Sequence, residues 1–347
     1  MKIKMEDIAR LANVSKSAVS LALSGKSGIS EETRSKIWQI AKEHGYQPRT
    51  TVKPDKKNGL SHTLRFVACT NSGIVLEQFN KQPFFMELIH HIEEQCRMRG
   101  YSLFYSSVPT ENMEETILTM ENENETSGMI LLGTNLTAQQ VGLIARKQPN
   151  LVVLDTCFET LNVNFIVMNN VMGAYQAARH LIELGHRRIG YVQSDSRMYN
   201  FDARKKGFLQ ALEEMQLRVE DAHWFSVPPT IVSSQEEFKL GLQKLDGELP
   251  TALFCECDYI AISVIKSCTE LGIRIPEDLS VIGFDNIHES TIITPELTTV
   301  HVEKAAIAEL AVAKLLDVVE HEDKVKLKSF IDTQLVIRQS CKAVEPS

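Results

Sequence analysis

The sequence of 347 residues contains no apolar run near the ~20 residues that a membrane-spanning helix requires, so we expect no membrane partner. Its opening stretch, MKIKMEDIARLAN, carries charges where a secretory signal peptide needs an uninterrupted apolar core. With neither feature present, we expect the protein to be cytoplasmic.

Motifs for cofactor chemistry are absent as well. The triplet GKS at residues 25–27 would need a glycine five residues earlier to form a phosphate-binding loop, and that position is Ser20. The stretch VACTNSGIVLEQ has a single glycine, where a dinucleotide-binding fold requires G-x-G-x-x-G. No histidine has a partner at metal-binding spacing. We therefore predict no catalytic residue, no metal site, no cofactor and no enzymatic activity.

Paired cysteines are also missing. The seven cysteines are odd in number and follow no disulfide framework spacing. Cys255 and Cys257 form a C-x-C without the second pair that a zinc site would need. We expect all seven to be reduced thiols, most of them buried, as free cysteines commonly are.

Charge is distributed unevenly along the chain. Residues 1–65 hold 13 lysines and arginines against 6 acidic residues, although the whole chain has a net charge of −8. A small basic segment therefore precedes a large acidic body. Such a segment favours a polyanionic partner, whereas the acidic body disfavours nonspecific coating by nucleic acid.

Three short helices are predicted within residues 1–48. The first covers residues 5–12, and its inward face is expected to carry Ile8, Leu11 and Ala12. Ser15 is a natural N-cap for a second helix over residues 16–23, and Ser30 begins a third helix whose Trp38 is expected to close the small core. The result is a helix-turn-helix arrangement.

The outer face of the second helix is small and polar. The residues on this face or at its end are Lys16, Ser17, Ser20, Leu21 and Ser24. Hydroxyls near base edges and a cation near phosphate suit insertion into a DNA major groove. A helical hairpin without any nucleic-acid role is the alternative, and the local basic excess favours DNA.

From residue 64 onward, apolar strands alternate with amphipathic helices in two successive series. The first series includes LRFVACT, SLFYSS, GMILLG and LVVLD, and the second includes FIVM, RIGYVQ, TALFCE and VIGFD. Such alternation predicts two parallel sheets flanked by helices, and therefore a two-lobed α/β body behind an all-α head. Ligands of these sheets bind beyond the carboxyl ends of the strands.

Specific motifs carry a resemblance over nearly the whole chain, from residue 3 to about 340. The head segment MEDIARLANVSKSAVSLALSGKSGISEETRSKIWQIAKEHGYQP resembles the DNA-binding head of the lactose-repressor (LacI/GalR) family of bacterial transcription regulators. The body motifs QPFF, HLIELGHRRIGYV, RKKGFLQAL, IPEDLSVIGFDN and TPELTTV resemble the same family and the periplasmic sugar-binding proteins. The ordered set of motifs is highly specific.

In the head, the resemblance implies a set of DNA-binding residues. These are Ser15, Lys16, Ser17, Ser20, Leu21, Ser24 and Arg34. The sequence departs from the family pattern at Asn13, Ala18 and Leu21, which stand where glycine, threonine and a base-reading arginine are usual. Leu21 is suited to contact a thymine methyl, so we expect an operator unlike the commonest family sites.

The linker over residues 49–63 also departs from the pattern. The resemblance implies a hinge helix with a leucine wedge for the minor groove, but the wedge position is Asp55 and Pro54 would interrupt a helix. Two interpretations stay open: a basic strap along the phosphates, or a solvated tether.

In the body, the resemblance implies effector-binding residues. These are Phe84, Phe85, Asp155, Arg204, Asp258 and Asp285. Helix-core packing is the alternative role for either phenylalanine, and solvent exposure for Arg204. Departures at Gln82, Thr156 and Cys257 replace asparagine, arginine and asparagine of the pattern. An aromatic pair with Arg and Asp favours a neutral carbohydrate over a nucleobase.

The resemblance implies a homodimeric repressor that binds a near-palindromic double-stranded DNA operator and responds to a small molecule. We predict a DNA-binding domain over residues 1–48 and an effector-binding and dimerisation body over 64–345. Its first lobe is expected to comprise residues 64–163 and 292–325, and its second 164–291 and 326–345. A sugar sensor whose head contacts a protein partner is the rival interpretation, and activation of transcription stays open.

Overall fold

The computed structural model describes residues 5–23, 28–43, 62–70, 74–75, 82–123, 125–245 and 248–344. The chain separates into two compact units, Met1–Lys57 and Asn58–Ser347. Residues 49–61 of the predicted linker, with Pro54 and Asp55, lie outside the described residues, and so does Ser24.

The first unit contains the three predicted helices, α1 (Met5–Ala12), α2 (Lys16–Leu23) and α3 (Glu31–Glu43). Both predicted caps are confirmed. The Ser15 hydroxyl accepts a hydrogen bond of 3.1 Å from the Ala18 amide, and the Ser30 hydroxyl accepts one of 3.2 Å from the Thr33 amide. Each bond satisfies an amide of the first helical turn, which has no partner inside its helix.

The core of the first unit differs from the prediction at two positions. Its buried side chains are Ile8, Ala9, Ala12, Val19, Ala22, Ile37 and Ala41. Leu11 is 51% exposed and Trp38 is 45% exposed, so both predictions were wrong. At 100° per residue, Ile8, Ala9 and Ala12 define the buried face of α1, and Leu11 lies beyond its edge. The Trp38 indole N–H instead donates to the Ala22 carbonyl at 3.2 Å, near the carboxyl end of α2.

The second unit begins with a large parallel sheet. Its strands are β1 (Thr63–Thr70), β2 (Ser102–Pro109), β3 (Gly128–Leu132), β4 (Leu151–Leu154), β5 (Asn164–Met168) and β11 (Lys328–Ile331). They are ordered β11-β5-β4-β3-β1-β2, and every neighbouring pair is parallel. The helices that flank this sheet are α4 (Pro83–Met98), α5 (Met113–Glu123), α6 (Ala138–Lys147) and α11 (Lys304–His321).

Side chains alternate between the two faces of this sheet. Phe66 and Ile130 belong to the core that includes the buried residues of α4 and α11, whereas Val67 and Leu131 pack in the core that includes α5 and α6. Successive residues of a strand point to opposite faces, so both faces of a helix-covered parallel sheet must be apolar. The central strands β3 and β4, with the sequences GMILL and LVVL, are therefore fully buried and almost continuously hydrophobic.

A second parallel sheet has four strands. They are β6 (Ile189–Ser194), β7 (Trp224–Val227), β8 (Ala252–Cys255) and β9 (Ser280–Ile282), in the order β7-β6-β8-β9. The helices nearby are α7 (Asn170–Glu183), α8 (Tyr199–Glu214), α9 (Glu236–Gln243) and α10 (Asp258–Glu270). β10 (Thr299–His301) and β12 (Gln334–Val336) form a small antiparallel pair. Within the described parts of the chain, no helix is both long enough and apolar enough to cross a bilayer.

The predicted lobe boundaries require a correction. We predicted that residues 164–291 and 326–345 belong to the second lobe, but β5 and β11 lie in the six-stranded sheet. The connection over residues 155–163 contains no helix, and β5 pairs directly with β4, with Val152 opposite Asn164. Sequence alternation identifies a strand, but it does not identify the sheet edge that the strand joins.

The close packing of α7 against α8 depends on Gly207. A Cβ at this position would lie 2.0 Å from the backbone carbonyl oxygen of Val171 on α7. Because backbone cannot rotate away as a side chain can, the two helices would have to separate. This contact therefore sets the spacing of the two helices that carry the buried polar groups described below.

We expect Gly207→Ala to lower the free energy of unfolding by about 1 to 3 kcal/mol, the usual cost of overpacking. Gly142→Ala on α6 is the matched control, because the nearest atom to its Cβ would be 3.8 Å away. Alanine is favoured over glycine inside a helix, so this variant should gain about 0.5 to 1 kcal/mol. Urea unfolding measures both, and equal stability of the two variants would contradict the close helix contact.

Candidate functional site

A cleft whose empty space, open solvent included, is about 430 Å³ lies among the carboxyl ends of the strands of both sheets, and we call it the cavity. Five of the six predicted effector residues line it, namely Phe84, Phe85, Asp155, Arg204 and Asp285. The other lining residues are Ile74, Gln82, Thr134, Met198, Asn200, Phe201, Pro229, Thr230, Cys257 and Tyr259. Of these ten, the sequence analysis had singled out only Gln82 and Cys257, as departures from the family pattern.

Arg204 is the central charged group of the cavity wall. It lies on α8, and only 2% of its surface is exposed, so the alternative of a solvated helix arginine is wrong. Its guanidinium donates to Asp285 Oδ1 at 2.9 Å, to Asn170 Oδ1 at 2.9 Å and to the Glu256 carbonyl oxygen at 2.6 Å. The guanidinium carbon also lies 3.7 Å from the centre of the Phe284 ring. These contacts fix the planar group in one orientation.

Asp285 follows β9 and pairs with Arg204. Its φ of 115° places it in the left-handed region, which turns the chain immediately beyond the strand end. Burial raises the pKa of the Asp285 carboxyl, and the positive charges of Arg204 and Lys304 oppose this rise. Oδ1 accepts from Arg204, whereas Oδ2 receives no hydrogen bond from any residue that the structure describes. Asp285 therefore retains acceptor capacity for a ligand.

Asp155 is held at the tip of β4. One carboxylate oxygen accepts a hydrogen bond of 2.5 Å from the Thr134 hydroxyl, and the other accepts one of 2.6 Å from the Asn200 amide. Burial raises the pKa of Asp155 to about 6, although both hydrogen bonds oppose that shift. With both oxygens already engaged, Asp155 acts mainly by orienting its two neighbours.

A chain of hydrogen bonds joins the two sheets through this wall. It begins with the Asp155–Asn200 bond and continues with the Asn170 amide, which donates to Asn200 Oδ1 at 2.8 Å. Asn170 in turn accepts from Arg204, which reaches Asp285 beyond the second sheet. Every member is buried. Because an unpaired polar group is costly in the interior, the members of this network constrain one another.

Asp258 does not reach the cavity, contrary to the prediction. Its Oδ1 accepts a hydrogen bond of 2.5 Å from the Thr299 hydroxyl, and its Oδ2 accepts one of 2.9 Å from the Ile287 amide. Burial and the nearby Asp285 charge raise its pKa to about 8. Asp258 thus anchors the chain after β9, and its neighbour Cys257 lines the cavity instead.

The aromatic pair belongs to both the core and the cavity. The Phe84 and Phe85 rings lie 5.5 Å apart in an edge-to-face arrangement, and each residue is 6% exposed. Both residues therefore pack in the hydrophobic core, which was the alternative role, and both also line the cavity. The Lys304 ammonium lies 5.5 Å from the centre of the Phe84 ring and 3.1 Å from Glu87.

On the first unit, the polar face of α2 is open to solvent. Ser17 and Ser20 are exposed, and Leu21 is half-buried. The Lys16 ammonium lies 2.6 Å from Glu6 Oε1, and both side chains are mostly exposed. An exposed pair of this kind contributes little free energy, so Lys16 is available for exchange onto a phosphate.

Two predicted DNA-binding residues have local structural contacts. The Ser15 hydroxyl is the N-cap of α2. The Arg34 guanidinium donates to the carbonyls of Leu21 and Ala22 at 3.3 Å each, near the carboxyl end of α2. Arg34 thus stabilises the helix end that carries the polar face. Among the residues that the structure describes, no three His, Cys, Asp or Glu side chains are grouped as a metal site.

Comparisons with known proteins agree over both units. Residues 4–49 match the family described as bacterial regulatory proteins, lacI family, and residues 178–341 match the periplasmic binding protein-like domain. The chain is 30% identical over 351 residues to the HTH-type transcriptional repressor PurR of Haemophilus influenzae strain PittEE, covering 98% of this chain and 99% of the relative. It is also 30% identical over 343 residues to the ribose operon repressor of H. influenzae strain Rd, covering 97% and 98%.

Solved structures show the same fold. The complex of the transcriptional regulator CelR with cellobiose matches with a TM-score of 0.70 and 20% identity, covering 97% of this chain and 99% of that one. The Lac repressor dimer bound to operator and the anti-inducer ONPF matches with a TM-score of 0.70 and 21% identity, covering 99% and 100%.

Proposed function

This chain belongs to the lacI family of bacterial regulatory proteins, and from that membership we propose that it is a cytoplasmic homodimeric repressor of a near-palindromic operator, controlled by a neutral carbohydrate. Family members are DNA-binding transcriptional repressors rather than enzymes. The head supplies DNA contacts through the polar face of α2, and the cavity of the second unit receives the effector.

One observation carries the carbohydrate assignment: the charges of the cavity wall are largely compensated within the protein. Arg204 is paired with Asp285, and Asp155 is already hydrogen-bonded by Thr134 and Asn200. Among the lining residues that the structure describes, an anionic ligand would find no uncompensated cation. The Phe84 and Phe85 rings at the cavity wall suit the apolar faces of a sugar. The Asp285 carboxylate, which retains acceptor capacity, suits a hydroxyl donor of the same ligand.

We further propose that the dimer forms through α4 and the edge strand β2. Met86 and Met98 on α4 are 49% and 68% exposed, and Phe104 and Tyr105 on β2 are 43% and 41% exposed. β2 is the last strand of its sheet, so one side of its backbone has no neighbouring strand within the described residues. A second copy would cover both features, which are otherwise liabilities for a monomer.

The dimer explains how effector binding in the cavity changes operator binding by the heads. Two heads bind half-sites about one helical turn apart, ~34 to 36 Å, in successive major grooves. An effector that draws the two lobes together changes the spacing of the heads. Coupling of this kind typically amounts to about 1 to 3 kcal/mol, and by linkage operator binding must alter effector affinity equally.

Selection of bound sequences from random duplex DNA tests this function directly. The purified protein is used alone and with ribose, cellobiose, galactose, hypoxanthine or adenine. We expect enrichment of a near-palindrome that one of the sugars weakens or strengthens. Modulation by a base instead of a sugar would overturn the carbohydrate assignment. A failure to enrich any sequence would overturn operator binding and favour the interpretation of the head as a protein-binding module.

A further inference from the structure

A further buried carboxylate, that of Glu256, lies behind the cavity wall. Glu256 directly follows β8 and has no exposed surface. The Tyr191 hydroxyl donates to its Oε1 at 2.8 Å, and the Ser194 amide donates to its Oε2 at 2.6 Å. Nη1 of Arg197 donates to both oxygens, at 2.9 and 2.7 Å. A charge at this depth requires such partners, because an unpaired ion is costly in the interior.

Arg197 connects this carboxylate to the beginning of α8. While Nη1 holds Glu256, Nη2 donates to Asp202 Oδ1 in the first turn of α8, at 2.7 Å. Burial raises the pKa of the Glu256 carboxyl, and the Ser194 hydrogen bond and the Arg197 charge oppose this rise. The planar guanidinium thus spans two acids that different elements carry, and it fixes their separation.

The chain segment that Arg197 belongs to supplies part of the cavity wall. This segment covers residues 195–198, joins β6 to α8, and is called the β6–α8 connection below. The lining residues that it and the first turns of α8 supply are Met198, Asn200, Phe201 and Arg204. The backbone carbonyl of Glu256 accepts from Arg204 at 2.6 Å. Glu256 therefore supports this wall twice, through its side chain by way of Arg197 and through its backbone.

We propose that Glu256 and Arg197 are positioning residues for effector binding. Their ion pair holds the β6–α8 connection so that Met198 and Phe201 form the cavity wall before the ligand arrives. The proposal rests on the carbohydrate-controlled function given above and deepens it. Without the pair, the connection would lose this attachment to the end of β8. The ligand would then have to order the connection as it binds, and that cost lowers affinity.

Calorimetric titration of ribose, cellobiose and galactose compares wild type with Arg197→Met, Glu256→Gln and the double variant. Each single variant should bind the recognised sugar about 5- to 100-fold more weakly, which is the cost of ordering two or three side chains on binding. The double variant should bind as weakly, yet it should unfold at a higher temperature than Arg197→Met, because no unpaired charge stays buried. Recovery of affinity together with stability would overturn the positioning role.

Lys239→Met is the matched control for the titration. The Lys239 ammonium also spans two carboxylates, those of Glu236 at 2.6 Å and Glu270 at 2.7 Å, as the Arg197 guanidinium does. It connects α9 to α10 and does not line the cavity. This variant should bind the recognised sugar like wild type. An equal loss of affinity in Lys239→Met and Arg197→Met would contradict a specific role of the Glu256 pair.

Hydrogen exchange of the ligand-free proteins tests the positioning role without any sugar. The Ser194 amide donates to Glu256, and the Ser196 amide donates to the Ser194 hydroxyl at 3.0 Å. In the double variant these two amides should exchange at least about 5-fold faster, relative to the amides of α9, than in wild type. Unchanged exchange, or a uniform rise along the chain, would overturn the proposal. Failure of every sugar to bind the wild type would instead overturn the carbohydrate assignment, and the exchange result would then decide the positioning role.

Discussion

An Arg204→Met variant should lose about 3 to 5 kcal/mol of unfolding free energy, because removal of one partner leaves the other charge buried and unpaired. Asp285 is that partner, at 2.9 Å. The variant should also bind the recognised sugar about 10- to 100-fold more weakly. The charged Arg204 guanidinium donates the hydrogen bonds that orient the cavity wall, and the variant loses them. Urea unfolding and calorimetric titration measure the two effects.

The pH dependence of this loss identifies its cause. Without Arg204, the already raised pKa of Asp285 should rise further, because the arginine charge opposes the effect of burial. The folded variant then binds a proton that the unfolded chain has released above pH ~4. Stability contributed by this group therefore falls as pH rises, so the deficit against wild type should be smaller at pH 4 than at pH 7.

Arg179→Met is the matched control for this experiment. Arg179 lies on α7 and pairs with Glu183 one turn away, at 3.3 Å, with both side chains substantially exposed. Loss of an exposed pair costs about 0 to 1 kcal/mol, so this variant should resemble wild type in stability, sugar affinity and pH dependence. A similar loss in both variants would contradict the central role of the Arg204 network.

Operator affinity should fall by ~10³ to 10⁵ between 50 and 200 mM salt. This is the expected effect of roughly 6 to 10 phosphate contacts, because each contact releases counterions from the duplex. Lys16→Ala, which removes one such contact from each head, should reduce the slope of log affinity against log salt by about 2. Fluorescence anisotropy with the selected operator measures the slope, and a flat response would contradict binding through the basic head.

The serines of α2 should affect specificity instead of the salt slope. We expect Ser17→Ala with Ser20→Ala to weaken operator binding about 10- to 100-fold while binding of random duplex DNA is unchanged, because hydroxyls neutralise no phosphate. Ser35→Ala, an exposed serine on α3, is the control and should bind the operator like wild type. Equal operator binding by all three proteins would show that another face of the head reads the DNA.

Local signals in the sequence were sufficient for the head helices and for the family. The caps at Ser15 and Ser30 are confirmed, because a hydroxyl bonds amides only three residues away. The alternation of strands and helices predicted two parallel sheets, and the fold and family are confirmed by the comparisons. The ordered motifs also predicted that Arg204 and Asp285 belong to one site, and both line the cavity although 81 positions separate them along the chain.

The sequence by itself therefore determined which segments form helices and strands, the basic head, the family and five of the residues that line the cavity. Tertiary structure alone decided that β5 and β11 join the first sheet, and that Asp258 accepts hydrogen bonds from Thr299 and Ile287 instead of lining the cavity. The physical reason is distance along the chain. Caps and hydrophobic periodicity act within a few residues, whereas a sheet edge or a buried hydrogen bond depends on partners supplied by distant segments.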